Sequence, residues 1–352
     1  MRRVPPSVLA IVGTMCVLWV ALGSKILPVS RSHDFLNLYT GGSLALDGHF
    51  ADLHDTEVQL ERERRYVPGL PELVPFVRPA FYAVFLAPMA LIPFRAAFVV
   101  WIACQILLFI ACLIWAWWKF GPDALVFGSM SLPAALGIAS GQDCVLLLAL
   151  FIAAFEASDR KKPLASGLIL GLMLFKFHLV LLWPLALLVQ KRWRMLAGFS
   201  IAALGEAALS AALGGMRGVV VYSELLRNKR LDQLLPPQLM ISYKGLLANL
   251  NIASPWAGAA LQAAIALALI YAVRGAPLWK LFSITAAASM MVVPHVYGYD
   301  ATLLLLPVLL TIFHAARPVS RIFAAIFATP LPFGFTLADK PWAIVVSASL
   351  AV

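Results

Sequence analysis

Short polar segments interrupt an otherwise apolar chain, and they carry the side chains needed to transfer a group from a phosphate ester. Asp34 lies in the first of them, at residues 32–55, where the chain should leave a membrane. A carboxylate there could accept a proton from an attacking hydroxyl, and cations in the other segments could hold a phosphate. The other candidate site residues are Arg78, Gln142, Lys176, His178, Ser242, Lys244, His295 and Tyr299.

Each of these residues also has a simpler explanation when taken alone. Asp34 could be the N-cap of the helix that follows it. Arg78 and Lys176 could extend their charged ends toward lipid headgroups. Asp300 could cap a late helix, and Glu206 lies inside an apolar segment with no evident partner. Buried charges in a membrane tend to mark substrate pathways, so the grouping of these residues favours a functional site.

The composition predicts a membrane protein with several spans. Sixty-two per cent of the residues are hydrophobic and 12% are charged, whereas a soluble protein has about a quarter charged. The net charge of +10 is typical of cytoplasmic loops facing anionic lipid, and nucleic-acid binding is a poor explanation of it. The four cysteines form no CxxC pair, and there is no Asp-x-Asp motif, so neither a metal nor another cofactor is expected.

We therefore expect an all-α polytopic domain covering residues 1–352, with about eleven to thirteen membrane helices. Residues 8–27 read as a signal anchor, and Arg2 and Arg3 place the N-terminus in the cytoplasm. Asp34 then emerges on the extracytoplasmic side. Two external loops are predicted, at about residues 28–79 and 214–251, and the first should carry amphipathic helices lying on the membrane surface.

Two segments leave the number of crossings open. Residues 80–118 most simply form a short span at 81–92 and a full one at 96–118. Residues 163–190 are too long for one upright span. They form either one tilted or broken helix, or a hairpin of short helices with Lys176 at its outer tip. Basic runs on both sides favour the hairpin, but the parity of crossings then allows residues 80–118 to cross only once.

Six stretches, in order, carry a resemblance to a known family. They are HDFLNLYTGGSLALDGHFADLHD, VRPAFYAVFLAPMALIPF, GQDCVLLLAL, RKKPLASGLILGLMLFKFHLVLLWPLALLVQKRWR, SYKGLL and SMMVVPHVYGYD. This pattern resembles the membrane glycosyltransferases of family 87, a GT-C-type group that includes polyprenol-phosphate-mannose-dependent α-1,2-mannosyltransferases. The sequence departs from the family pattern in having Arg78 where a Tyr-Pro-Pro proline is usual, and Asp143 and Cys144 where an asparagine is often near.

The resemblance implies a GT-C bundle that takes a sugar, mannose in the family, from a polyprenyl-phosphate-sugar. The acceptor would be a lipid-linked or extracytoplasmic glycan, and the transfer would invert the anomeric carbon. Asp34 matches the catalytic base, Lys176 and His295 match positions that hold the donor phosphate or line the site, and Arg78 and Gln142 would help to form it. The implied location is the plasma membrane, a bacterial inner membrane being the expected case, with the site on the extracytoplasmic side.

Two other functions use the same residues. A transporter or flippase of a lipid-linked or anionic solute would need the intramembrane charges but no base in the first loop. A non-catalytic membrane scaffold would need neither Asp34 nor Lys176. The effect of replacing Asp34 with asparagine separates transfer from both alternatives.

Overall fold

The computed structural model describes residues 4–30, 33–228 and 236–334, and within these ranges the chain is helical and has no strand. The predicted all-α polytopic membrane protein is confirmed. Residues 342–352, which were included in the expected eleven to thirteen spans, lie outside the described ranges. Five helical segments are long and apolar enough to cross a membrane: Pro6–Gly23, Phe94–Phe120, Pro163–Val180, Trp193–Arg227 and Pro255–Val273.

Seventeen α-helices make up the described part of the chain. The first ten are α1 (Pro6–Ser30), α2 (His33–Leu46), α3 (Thr56–Tyr66), α4 (Ala80–Leu86), α5 (Phe94–Phe120), α6 (Asp123–Ser129), α7 (Leu132–Ala139), α8 (Cys144–Asp159), α9 (Pro163–Leu172) and α10 (Trp183–Val189). The others are α11 (Trp193–Arg227), α12 (Tyr243–Asn249), α13 (Pro255–Val273), α14 (Leu278–Val292), α15 (Leu305–His314), α16 (Pro318–Ala328) and α17 (Leu331–Gly334). Short 3₁₀ segments include Phe50–Asp52, Ala87–Leu91, Met173–Val180 and Gly298–Leu304.

The first loop folds into a helical layer, and its first helix is more buried than predicted. Helix α2 forms where expected, with Asp34 in its first turn rather than at its N-cap. Nearly all of its side chains from Phe35 to Ala45 are buried, and Leu46 is the exposed one at its end. It is therefore an internal helix of the layer rather than one lying on the membrane surface. Helix α3 begins at Asp55, whose side chain accepts hydrogen bonds from two backbone N–H groups.

Residues 81–92 do not form the short span that the sequence suggested. Helix α4 and the 3₁₀ segment after it pack against α2, where a side chain on Gly42 would approach the carbonyl of Leu86 to 2.7 Å. The hydroxyl of Tyr39 donates to the carbonyl of Ile92 at 2.8 Å. A helical stretch of this length reaches only about 18 Å, well short of the ~30 Å hydrocarbon core. Helix α5 is thus the single crossing of residues 80–118.

Residues 163–190 form the hairpin, which is the one of the two open alternatives that the flanking basic runs favoured. Helices α9 and α11 run side by side in the same direction, because Gly167 approaches the carbonyl of Met195 and, about one turn further along both helices, Gly171 approaches the side chain of Ala202. Both helices therefore begin at the same end of the bundle, and α10 must return the chain to that end. The turn falls at Lys176, whose backbone is not helical (φ −115°, ψ 57°). By the parity of crossings, a hairpin at residues 163–190 allows residues 80–118 to cross the membrane only once. The hairpin and the single crossing by α5 meet this condition.

The bundle has two chemically different ends. The basic end holds residues 160–162 and 191–194, and there Lys119 pairs with Asp159 and Glu156. The side chain of Gln190 donates to the carbonyl of Val273 at this end, at 2.6 Å. The opposite end, which we call the site end, holds the first-loop layer and the polar segments that the sequence singled out.

Helix α11 is longer than predicted and enters the segment expected to be the second external loop. It continues through Gly214 to Arg227, with a kink at Gly215, whose φ of +61° lies in the left-handed region that glycine adopts readily. Side chains on Gly214 or Gly218 would lie 3.2–3.3 Å from the carbonyl oxygen of Phe50. Residues 216–227 therefore pack as a helix over the first-loop layer.

Candidate functional site

The turn between α7 and α8 places two polar side chains inside the site end. Gly141 has a φ of +76°, and a Cβ there would lie 2.7 Å from that of Phe35, so the turn sits directly against α2. Its carbonyl accepts a hydrogen bond of 2.9 Å from the indole of Trp101. Gln142 and Asp143 follow and are both buried, with exposures of 6% and 0%. A buried carboxylate requires a compensating charge.

Arg78 supplies the first compensating charge. Its guanidinium forms two hydrogen bonds with Asp143, from Nε to Oδ2 at 3.0 Å and from a terminal nitrogen to Oδ1 at 3.1 Å. This two-point geometry is the strong form of an arginine–carboxylate pair. Two neighbouring side chains fix the backbone at Arg78. His54 Nε2 donates to the carbonyl of Arg78 at 2.8 Å, and the Tyr222 hydroxyl donates to the carbonyl of Val77.

Lys176 connects the same carboxylate to a second one. Its ammonium lies 3.0 Å from Oδ1 of Asp143 and 2.8 Å from Oδ1 of Asp300. The break in the hairpin brings this lysine here, and only 1% of its surface is exposed. The other oxygen of Asp300 accepts the backbone N–H of Tyr297 at 3.1 Å, so Asp300 also caps the 3₁₀ segment that it belongs to.

The two cations and two carboxylates form a buried network with no net charge. Burial acts to raise the pKa of Asp143, but the nearby Arg78 and Lys176 cations lower it below its ordinary range, so this carboxylate stays ionised. Removing one member of such a network leaves an uncompensated buried charge, which costs about 3–5 kcal/mol. The network therefore fixes the hairpin, the Gly141 turn and the end of the first loop relative to one another.

Asp34 lies at the edge of this network. It is half-buried, and the side chains of Gln142 and Ser140 lie beside its carboxylate. The Gln142 carbonyl oxygen faces Arg78 and Lys176 at 3.5 Å from each, which leaves the amide N–H₂ to donate to Asp34. The Ser140 hydroxyl donates to the carbonyl of Leu136 at 2.9 Å. Burial raises the pKa of Asp34, although Gln142, Lys176 and Ser140 act to lower it. No salt bridge to Asp34 is formed within the described part of the chain.

The remaining predicted residues surround the network at different distances. The Lys176 ammonium lies 5.6 Å from the ring centre of Tyr299, and His178 is close enough to Lys176, Asp300 and His295 for their charges to act on it. Ser242 is buried, and its hydroxyl donates to the carbonyl of Pro294 at 3.4 Å. Lys244 follows in the first turn of α12. The structure thus brings Asp34, Arg78, Gln142, Lys176, His178 and Tyr299 together, with His295 in the loop after α14 and Ser242 and Lys244 at the start of α12.

The interpretation of Arg78 and Lys176 as lipid-facing cations was wrong, and the roles of Asp143 and Asp300 were not recognised. Arg78 and Lys176 do not extend toward headgroups, since both are buried and paired. Asp143 appeared in the sequence only as a departure from a pattern, and Asp300 only as a cap. Both are the partners of those cations. Charge balance could have identified both acids from the sequence. Two buried cations need two acids to compensate them, and Asp143 and Asp300 were the acids at span ends.

The arrangement suits proton transfer from a hydroxyl group. Asp34 is half-buried and forms no salt bridge, and the charges of the neighbouring network already cancel. Its carboxylate can therefore accept a proton without disturbing any ion pair. The described residues contain no strand, and therefore no nucleotide-binding loop of the strand–loop–helix type. These features define a site without giving its substrate.

The comparisons with known proteins give the family. Residues 76–294, more than half of the chain, match the family model described as glycosyltransferase family 87. The matched range includes Arg78, Gln142 and Lys176 and excludes Asp34, His295 and Tyr299. No curated protein and no solved structure matches the chain.

Proposed function

Because the chain belongs to glycosyltransferase family 87 and is therefore a membrane glycosyltransferase, we propose that its donor is a polyprenyl-phosphate-sugar. By resemblance to the family the sugar is mannose, and the acceptor is a lipid-linked or extracytoplasmic glycan. The reaction inverts the anomeric carbon, and Asp34 is its base. Membership of an enzyme family removes the reason to prefer a transporter or a scaffold.

The observation that carries the proposal is the difference between Asp34 and the other two acids of the site. Asp143 and Asp300 are locked in salt bridges with buried cations. Asp34 is half-buried and forms no salt bridge, and the polar side chains beside it, Gln142 and Ser140, are neutral. A base must be free to take up a proton, and among these three acids Asp34 is the one whose carboxylate is not committed to a buried cation.

In the proposed step the acceptor hydroxyl oxygen attacks the anomeric carbon and forms the new glycosidic bond. The bond from that carbon to the phosphate oxygen breaks, and the electron pair leaves with the polyprenyl phosphate. The hydroxyl proton passes to Asp34. One displacement needs one base, unlike hydrolases, which use two carboxylates. Asp34 and the leaving phosphate must lie on opposite faces of the sugar ring for the configuration to invert.

The cations divide into two groups under this proposal. Arg78 and Lys176 already compensate two buried carboxylates, so we assign them to positioning Gln142 and, through it, Asp34. His295, in the loop after α14, and Lys244, in the first turn of α12, are both half-buried, and we assign them to the phosphate of the donor. A cation at that position stabilises the charge that develops as the phosphate leaves.

The charge distribution supports an extracytoplasmic site, and by resemblance to the family we place the protein in the plasma membrane. The runs at residues 160–162 and 191–194, together with Arg274, lie at the end of the bundle opposite Asp34. Lysine and arginine accumulate in cytoplasmic loops. The site end then faces outward, where the lipid-linked sugar and its acceptor would meet.

The test is sugar transfer by the purified full-length protein in vesicles. Tritiated sugars on polyprenyl phosphate are offered with a membrane lipid extract as acceptor, and the anomeric configuration of the product is read by NMR. We expect transfer from one donor, with inversion, that is unaffected by EDTA and lost in Asp34→Asn. The matched control is Asp47→Asn, which changes an exposed acid at the far end of the same helix and should leave transfer intact. Retention of configuration, or equal loss in both variants, would overturn the proposal.

A further inference from the structure

A second site lies beside the polar network, between α11 and the first-loop layer. It is a cavity of about 370 Å³, within the range of ~300–1,000 Å³ typical of small-molecule sites. Its walls are mostly apolar and include Phe81, Leu174, Phe177, Ala203 and Tyr222. Asp34 does not line it. Neighbouring lipid-facing side chains on α11, such as Leu204 and Leu209, are exposed, so the cavity adjoins the hydrocarbon of the membrane.

One acidic side chain interrupts this apolar lining. Glu206, on the membrane-spanning part of α11, is among the lining residues. Both of its carboxyl oxygens are shielded from solvent, and no described residue forms a hydrogen bond with either of them. Burying a polar group without a partner costs several kcal/mol, and ionisable residues at membrane depth are rarely without function. The carboxyl therefore has two unused acceptor positions facing an apolar space.

The cavity shares two walls with the catalytic network but is separate from it. One wall is formed by residues 79–81, directly after Arg78, where the backbone N–H of Phe81 donates to Ser210 Oγ on α11 at 3.1 Å. The other is formed by Leu174 and Phe177, on either side of Lys176. Glu206 lies about one helical turn from Ser210. A molecule in this cavity would therefore lie level with the network without touching Asp34.

We propose that this cavity binds a lipid whose polar group is an uncharged hydroxyl, with that hydroxyl donating to Glu206. The apolar walls accommodate hydrocarbon chains. A carboxyl group disfavours an anionic phosphate in the same space, whereas either of its protonation states can accept a hydrogen bond from an alcohol. The occupant is therefore of the diacylglycerol type rather than the donor polyprenyl phosphate. This assignment does not depend on which residue is the catalytic base.

The experiment uses the full-length protein in phosphatidylcholine nanodiscs and a tritiated diacylglycerol carrying a diazirine in one acyl chain. Photolabelling is competed with unlabelled diacylglycerol, with its O-methyl ether and with phosphatidic acid. In the wild type we expect the alcohol to compete about five- to tenfold better than the ether, the value of one hydrogen bond. Glu206→Gln should keep this preference and Glu206→Leu should reduce it to less than twofold. Label should map to α11 and α4.

Two variants control for general effects on folding and on lipid binding. Glu224→Leu changes an exposed glutamate on the same helix that does not line the cavity, and it should keep the wild-type preference. Ala203→Trp fills the cavity and should remove the labelling while the protein still elutes as a single species. The proposal is overturned if the wild type does not distinguish alcohol from ether, if Glu206→Leu still does, or if phosphatidic acid competes as well as diacylglycerol.

Discussion

Removing the charge of Lys176 should destabilise the protein through Asp300 rather than through lost packing. In Lys176→Met the side chain keeps a similar length, but Asp300 loses the cation that lies 2.8 Å away, while Asp143 keeps its two contacts with Arg78. An uncompensated buried charge costs about 3–5 kcal/mol. Removing that charge as well, in Lys176→Met with Asp300→Asn, should recover at least about 2 kcal/mol relative to the sum of the two single losses.

The assay is thermal unfolding in detergent, followed by tryptophan fluorescence at one scan rate for all variants, because large proteins commonly unfold irreversibly. For a chain of this length the single variant should lose several degrees of Tm, at roughly 2 °C or less per kcal/mol. Lys280→Met, an exposed lysine on α14, is the control and should change Tm by less than about 1 °C. Strict additivity of the two single losses would refute the coupling between Lys176 and Asp300.

Three further predictions follow from packing and from protonation. Gly167→Val should prevent α9 from reaching α11 and lower the monodisperse fraction in size-exclusion chromatography, whereas Gly205→Val, which meets no atom within 4 Å, should not. Burial raises the pKa of Glu63 to about 7, so the folded state holds this proton more tightly and stability should fall as pH rises from about 4.5 to 7. Glu63→Gln should abolish that slope in Tm against pH and still accept the Val74 N–H. Burial lowers the pKa of His54 to about 4, so the folded state binds this proton less tightly than the unfolded state. The stability of the protein should therefore fall as pH falls from about 6.5 to 4, and His54→Phe should remove that dependence.

The long-range order of the chain could be predicted because it follows from local composition. Apolar segments of about 20 residues indicate membrane helices whatever they pack against, and α5 and α13 formed as expected, as did the first part of α11. The first loop was also expected to carry helices, and α2 and α3 form there. The family pattern also pointed to the stretches that contain Asp34, Arg78, Gln142 and Lys176, which the structure brings to the site end.

The pairing of charges could not be predicted, because it joins residues that are far apart in sequence. Arg78 and Asp143 are 65 positions apart, and Lys176 and Asp300 are 124 apart. Each cation could have paired with several acids or with lipid phosphates, and only the packing of the helices selects among them. The failure of residues 81–92 to span has the same origin, because hydropathy does not distinguish lipid from the apolar face of α2.

The most direct test of the account is the single-turnover rate of sugar transfer by Asp34→Asn, measured together with donor affinity and across pH. Asparagine keeps the shape of the side chain but cannot accept the proton. We predict a rate about 10²–10⁴-fold below that of the wild type, with a donor Kd within about threefold of the wild-type value. The wild-type rate should rise with pH through the raised pKa of Asp34, and the variant should lack that rise. Transfer by Asp34→Asn at the wild-type rate, with the same pH dependence, would contradict the assignment of Asp34 as the base.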